Sequence, residues 1–289
     1  MIISIASGKG GTGKTTIATS LAATLGSQAQ LLDCDVEEPN CHILTKPLIL
    51  NRETVRISVP VVNADACSLC GKCAEICRFS AIVLIGGQVL TFPEMCHACG
   101  GCMLLCPENA IDEAYRELGV IETGVAGDVD FVHGILRVGE AMSPPLIKAV
   151  KERIDPTKTA VLDAPPGASC PVISTVNGSD FIILVTEPTP FGYHDLRIAI
   201  EAVSQLGIPC GVVLNRSDIG TQEVQDHCRA EGIPLLMEIP HDRRIAEGYA
   251  RGDLLIDSVP SFRSRFEDLF STMERIVSSA SNGLRKAAS

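Results

Sequence analysis

Eight cysteines fall between residues 67 and 106 in two runs, CSLCGKCAEICRFSAI at 67–82 and CHACGGCMLLCPENAI at 96–111. Each reads C-x2-C-x2-C-x3-C. A shift of 29 residues superposes all four cysteines, Gly71 on Gly100, Ala81 on Ala110 and Ile82 on Ile111. The segment is therefore a duplicated half-module. Thiolates are soft ligands that suit zinc or iron–sulfur clusters. Three on a tight loop can cap one face of an iron–sulfur cube, while the fourth, carried into the next helix, points elsewhere. Zinc needs four ligands per site and has no use for a tandem run of four in each half, so iron–sulfur is favoured.

A second concentration of chemistry lies at the N-terminus, where residues 8–16 read GKGGTGKTT. The pattern G-x-x-x-x-G-K-[ST] begins at Gly8. Its small residues (Gly8, Gly10, Gly11, Thr12 and Gly13) let the backbone wrap phosphates with N–H groups. Lys14 reaches the β- and γ-phosphates, Thr15 offers a hydroxyl to Mg2+, and Thr16 completes the motif. An apolar run before it and a helical stretch after it supply the strand–loop–helix context.

The cysteine segment resembles the bacterial two-[4Fe–4S] ferredoxin family. That resemblance implies one cluster on Cys67, Cys70, Cys73 and Cys106, and a second on Cys96, Cys99, Cys102 and Cys77. Arg78 stands where the ferredoxin pattern usually has the proline that Pro107 supplies in the second half, and it reads as a solvated surface charge. His97 reads as a surface residue, not a substitute ligand.

The rest of the chain resembles the deviant Walker A ATPases, a group that includes MinD, ParA, the Mrp-type cluster carriers and the nitrogenase iron protein. Lys9, directly after the first glycine, carries that resemblance. It implies that Lys9 contacts nucleotide across a dimer interface, hence a homodimer in the ATP state. It also implies that Asp35 orients the attacking water and that Asp33 supports Mg2+ or its loop. In AVLDAPPG, Asp163 would hold Mg2+ through water, and Gly167 would sense the γ-phosphate by its N–H. Asn215 would read adenine, and Pro240 would flank the base. The implied catalytic set is Lys9, Lys14, Asp35 and Asp163. The implied cofactors are ATP/ADP, Mg2+ and two [4Fe–4S] clusters. As a whole the chain resembles MinD-superfamily P-loop ATPases with an inserted ferredoxin domain.

The elements needed to hold these residues are visible as patterns. Apolar runs at 2–6, 29–32, 120–123, 131–138, 160–162, 181–186, 211–214 and 235–239 read as strands. Helical stretches at 15–25, 145–153, 196–205, 222–231, 243–251 and 261–277 separate many of them. Strands alternating with helices predict an α/β fold, a doubly wound mostly parallel sheet of the P-loop NTPase type. A small α+β bacterial-ferredoxin-like domain at 61–116 would interrupt an ATPase domain at 1–60 and 117–277. The polar tail, 278–289, is expected to be disordered.

Composition narrows the function. The chain has 289 residues, a net charge of −11 and no tryptophan, which argues against a DNA-coating surface or a base-stacking platform. The N-terminus carries no secretory pattern, no stretch reaches membrane-span length, and the tail has almost no apolar face. A cytoplasmic protein without nucleic-acid or stable membrane binding is expected. The remaining cysteines (Cys34, Cys41, Cys170, Cys210 and Cys228) read as small core or near-core residues. Cys170 lies seven residues after Asp163, a ligand spacing of the nitrogenase iron protein, but GEAMSPP at 139–145 offers no second cysteine, so it reads as structural. The leading expectation is a slow, dimer- or partner-stimulated ATPase that couples nucleotide state to electron transfer or redox sensing with a protein partner. The alternatives are a carrier of clusters or metal cofactors and a positioning ATPase of the MinD or ParA kind.

Overall fold

The computed structural model describes the backbone of residues 1–287 and the side chains of residues 1–280. In chain order the elements are β1 (Ile2–Ala6), α1 (Lys14–Leu25), β2 (Ala29–Asp33), α2 (Cys41–Thr45), β3 (Leu48–Val62), α3 (Lys72–Ile76), β4 (Ile82–Ile85) and β5 (Gln88–Thr91). Next come α4 (Gly101–Leu105), β6 (Ile111–Ala126), β7 (Val129–Leu136), α5 (Pro144–Lys151), β8 (Thr159–Asp163), α6 (Cys170–Val176), β9 (Phe181–Thr186) and α7 (Pro190–Ser204). The chain finishes with β10 (Cys210–Asn215), α8 (Glu223–Glu231), β11 (Leu235–Ile239), α9 (Arg243–Arg251), α10 (Leu255–Ser258) and α11 (Phe262–Ala287).

Nine strands form one sheet in the order β11-β10-β9-β1-β8-β2-β7-β6-β3. The pairs from β11 to β7 are all parallel. Their strands are apolar along both faces because helices cover both, as β9 shows with every residue buried. The two-residue Gly127-Asp128 connection makes β6 and β7 a hairpin, which only antiparallel neighbours permit. The register sets Asp33 on β2 beside Asp163 on β8 and beside His133 on β7.

The chain divides into two compact units. The first comprises Met1–Arg52, Ile121–Ile135 and Ile147–Ser289. Its core on one sheet face joins Ile3, Ile5, Leu31 and Phe131 to Phe262, Phe266, Leu269 and Met273 of α11. Those four recur at helical spacing, and each buried side chain stabilises by about 1.5–3 kcal/mol. Helix α11 continues to Ala287, so the tail expected to be disordered from 278 is helical through that residue, while residues 288 and 289 lie outside the described residues.

The second unit is Glu53–Val120 with Leu136–Leu146. Here α3 and α4 both start after a left-handed glycine, Gly71 (φ 77) and Gly100 (φ 70). The antiparallel hairpin β4–β5 turns through Gly86 and Gly87, both at positive φ. Strand β3 had no counterpart among the expected strands. Its first seven residues are all exposed and mix LIL with Asn, Arg and Glu, so neither alternation nor an apolar run marks it.

Candidate functional site

The phosphate loop bridges β1 and α1. Gly11 (φ 77) and Gly13 (φ 100) adopt left-handed backbone, and a Cβ on Gly10 or Gly11 would meet nothing within 4 Å. The space beside the loop is thus open to a ligand. Gly8 has a different duty, because a Cβ there would collide with the backbone of Asp195 on α7. Lys14 is buried, and the Thr15 hydroxyl donates to Asp163 Oδ2 at 2.6 Å. Asp163 Oδ1 and Thr12 Oγ1 are buried without partners among the described residues. An orphaned buried carboxylate oxygen beside a threonine hydroxyl is a donor set suited to a hard cation such as Mg2+.

Asp33 organises the next segment. Its carboxylate accepts the N–H groups of Asp35 (3.1 Å), Asn40 (3.0 Å) and Cys41 (2.9 Å), so it holds the loop that carries Asp35. The Cys41 thiol donates to Asp163 Oδ2 at 3.4 Å. Burial first, then the charge of Asp163, pushes the Asp33 carboxyl up to about 8 and that of Asp35 up to about 7. Burial likewise raises Asp163 above the usual carboxylate range. Carboxyls this crowded would be relieved by a cation.

A cavity of ≈ 400 Å³ lies against this machinery, within the range of small-molecule sites. Gly10, Gly11, Gly13, Lys14, Thr15, Thr16, Asp35, Asn215 and Pro240 all line it, with Tyr249 of α9 as an aromatic wall that the sequence reading missed. Three expected residues are engaged otherwise. Asn215 Nδ2 donates to the Thr12 carbonyl at 2.9 Å and its Oδ1 accepts the Arg216 N–H, so the amide braces the phosphate loop. The Gly167 N–H donates to the Ser7 carbonyl at 2.9 Å and is occupied within the chain. Lys9 pairs in its own chain with Glu187 at 3.7 Å, and Arg216 pairs with the same carboxylate at 2.8 Å. No sequence motif marks Glu187.

In the second unit one cavity is lined by Cys67, Cys70, Cys73 and Cys106, another by Cys96, Cys99, Cys102 and Cys77. Each set takes three cysteines from one run and the fourth from the other. The duplication extends to the backbone: Leu69 and Ala98, Gly71 and Gly100, and Ser80 and Asn109 are all left-handed, 29 residues apart. Equivalent N–H groups, of Ala81 and Ala110, donate to Cys77 Sγ (3.3 Å) and Cys106 Sγ (3.2 Å). Left-handed backbone at Leu69 and Ala98 costs about 1–2 kcal/mol each, a strain that the thiol-bearing loops retain in both copies. Among the described residues the one group of three ligand atoms within 4.8 Å is Asp33, Cys41 and Asp163. No three of the eight thiol sulfurs lie within 4.8 Å of one another, whereas the sulfurs around tetrahedral zinc sit about 3.8 Å apart for Zn–S of about 2.3 Å. His97 stacks on Phe79 with centroids 3.4 Å apart, at the rim of the second cavity.

The scattered cysteines divide. Cys34, Cys41 and Cys228 are buried and Cys210 is half-buried, but Cys170 is exposed. The expectation of a core or near-core position for Cys170 is therefore corrected: it is exposed as the first residue of α6, where the chain has just left the sheet end. Among the described residues no helix is long and apolar enough to cross a membrane.

The family profile of the CobQ/CobB/MinD/ParA nucleotide binding domain matches residues 3–256. The chain belongs to that family. An uncharacterized protein of Methanocaldococcus jannaschii is 31% identical over 285 residues, spanning 96% of this chain and 98% of its own. The iron–sulfur cluster carrier protein of Aquifex aeolicus is 25% identical over 300 residues, covering 96% of this chain and 67% of the carrier. Among solved structures, the septum site-determining protein MinD of Pyrococcus horikoshii, complexed with Mg-ADP, superposes with a TM-score of 0.55 at 21% identity over 95% of both chains. That likeness carries the P-loop NTPase fold with its mostly parallel sheet.

Proposed function

We propose that this family member is an ATP-hydrolysing dimeric switch that holds two [4Fe–4S] clusters and couples nucleotide state to electron transfer or redox sensing with a protein partner. The observation that carries the reading is the pair of four-cysteine cavities, each completed by a cysteine from the other run. This arrangement needs no ligand from the ATPase residues or from a second chain, which favours stably held centres over cargo. When bound, such clusters supply one-electron transfer. The protein's part is to donate eight thiolates and to direct the Ala81 and Ala110 N–H groups at two of the sulfurs.

At the nucleotide cavity, N–H groups of residues 10–16 and Lys14 cradle the phosphates, and Thr15 with Asp163 holds Mg2+. Asp35 lines the cavity on the loop fixed by Asp33 and orients the attacking water. Asn215 and Pro240 border the base, and Asn215 ties the base loop to the phosphate loop. Lys9 would exchange Glu187 for a phosphate of the neighbouring subunit when two chains close on ATP. Anaerobic reconstitution tests this reading: two cubane clusters by iron analysis and electron paramagnetic resonance, with ATP-dependent dimerisation. A protein holding one zinc per four cysteines would sink it.

A carrier of clusters is the second reading, favoured by the likeness to the Aquifex aeolicus carrier and by the exposure of Cys70 and Cys99. Transfer of iron–sulfur to an apo-acceptor faster than chelation removes it would support that alternative.

A further inference from the structure

Five neighbouring strands, β8-β2-β7-β6-β3, each place an ionisable residue in one connected set: Asp163, Asp33, His133, Glu122 and Arg52. Asp163 and Asp33 are register partners, as are Asp33 and His133. His133 Nε2 lies 2.8 Å from Glu122 Oε2, and Glu122 Oε1 lies 3.1 Å from Arg52 Nη1. Facing a carboxylate, Nε2 carries the proton, which leaves the buried Nδ1 as an acceptor without a partner among the described residues. His133 is 3% exposed. The ring of His42, on α2, meets it edge-on with centroids 5.5 Å apart, and Phe131 flanks it at 5.1 Å.

A buried histidine with one nitrogen unsatisfied is a poor way to stabilise a sheet, since apolar residues of similar volume would do as well or better. Its connections suggest another use. His42 directly follows Cys41, whose N–H is one of three that Asp33 grips to hold the loop of Asp35. On the other side, Glu122 is on β6, which begins five residues after Cys106, and Arg52 is on β3, which ends five residues before Cys67. These two strands are the chain connections into and out of the cysteine segment. The contacts from Arg52 through Glu122 and His133 thus end at His42 on α2, next to Cys41, whose N–H Asp33 binds together with that of Asp35.

We infer that His133 is a positioning residue through which the two strands leading to the cysteines set the placement of the Asp35 loop. The inference rests on the redox-coupled reading above and names the side chains that would carry the coupling. A shift of β3 or β6 moves Glu122, turns or releases the His133 ring, and alters the support beneath α2. By linkage, nucleotide at Asp35 must act back on the clusters with the same coupling free energy. The two-state element is a single hydrogen-bonded ring, either bound to Glu122 or released from it.

The experiment uses the reconstituted, cluster-loaded full chain and three variants: His133→Leu, His133→Gln, which keeps an N–H near the Nε2 position, and Arg52→Gln. Single-turnover ATP hydrolysis is measured with clusters oxidised and with clusters reduced by dithionite, and midpoint potentials are titrated with and without ATP. For wild type the two hydrolysis rates differ about fivefold or more. His133→Leu brings that ratio to about one and abolishes the ATP-dependent change in potential, with the ATP KM changed less than about twofold; His133→Gln retains most of both effects. Arg52 is a surface side chain, so Arg52→Gln folds even if His133→Leu does not, and it lowers the ratio as well. Retention of the wild-type ratio and potential change in both His133→Leu and Arg52→Gln overturns the inference while leaving the redox-coupled reading standing. A wild-type ratio of one with no ATP effect on potential overturns both.

Discussion

In the cysteine module all eight thiols come from residues 67–106, whereas the nucleotide cavity gathers Lys14, Asp35, Asn215 and Pro240 from segments scattered along most of the chain. The first region is built by short loops with left-handed turns repeated in both halves, and each turn places its own sulfur. The second is built by sheet register: parallel β1, β8 and β2 bring the phosphate loop, Asp163 and Asp33 to the same ends of their strands. Local construction lets each run place its own sulfurs, and the runs meet only where each cavity takes its fourth cysteine from the other. Register construction makes Asp33, Asp35 and Asp163 answer to one another: burial first, and then the charge of Asp163, raises the carboxyls of Asp33 and Asp35.

The sharpest test of the register-built region is Lys14→Gln, which removes the one buried cation of the phosphate loop and should lower the ATP hydrolysis rate by about a thousandfold. Asp35→Ala should also abolish hydrolysis but leave ATP binding, so that dimer accumulates on size exclusion. Equal activity of either variant and wild type would break the assignment of this cavity.

For the locally built region the test is the removal of cysteines singly and in pairs. Cys77→Ser should cost about half of the bound iron, as should Cys99→Ser. Combining them should cost no more than either alone, because both line one cavity; Cys77→Ser with Cys70→Ser should lose nearly all. Additive loss for Cys77 with Cys99 would mean that each run serves its own cluster.

Glycine substitutions give a smaller and more direct contrast. Gly13→Ala must adopt left-handed backbone and put its Cβ 2.7 Å from Asn215 Nδ2, costing about 2–3 kcal/mol in chemical denaturation. Gly100→Ala in the cysteine module meets nothing within 4 Å and should cost only the backbone preference, about 1 kcal/mol. Equal costs would erase the distinction between the two modes of construction.

The smallest effect is on pH. Asp33 and Asp35 ionise in the folded chain near 8 and 7, above the ordinary 3.8, so between about pH 4 and 8 the folded state keeps protons that the unfolded chain has released. Stability from these groups is therefore present at pH 4 and lost as pH rises toward 8. Thermal unfolding without nucleotide should occur a few degrees higher at pH 5 than at pH 8, and Asp33→Asn should flatten that difference. An unchanged slope in Asp33→Asn would show that Asp33 is not the group responsible.

Much of the fold was legible because buried parallel strands are short apolar runs: 2–6, 181–186 and 235–239 match β1, β9 and β11 residue for residue. Strand β3 was not legible, since its exposed first half has no burial to write a pattern into the sequence. The pairing of Lys9 with Glu187 and the bonding of the Gly167 N–H to Ser7 were equally hidden. Both depend on which loops meet at the strand ends, and neither Glu187 nor Ser7 sits in a motif of its own.

Taken alone, the sequence determined the parts that are local: the cysteine spacing, its 29-residue repeat and the glycines of the phosphate loop, because ligand geometry there is fixed by a few neighbouring dihedral angles. Only the tertiary structure decided that Asp33 would hold the Asp35 loop by three N–H groups, that Asn215 would brace Thr12, and that His133 would stand between Asp33 and Glu122. Those contacts join residues far apart in sequence through strand register, and register is set by packing of the whole sheet.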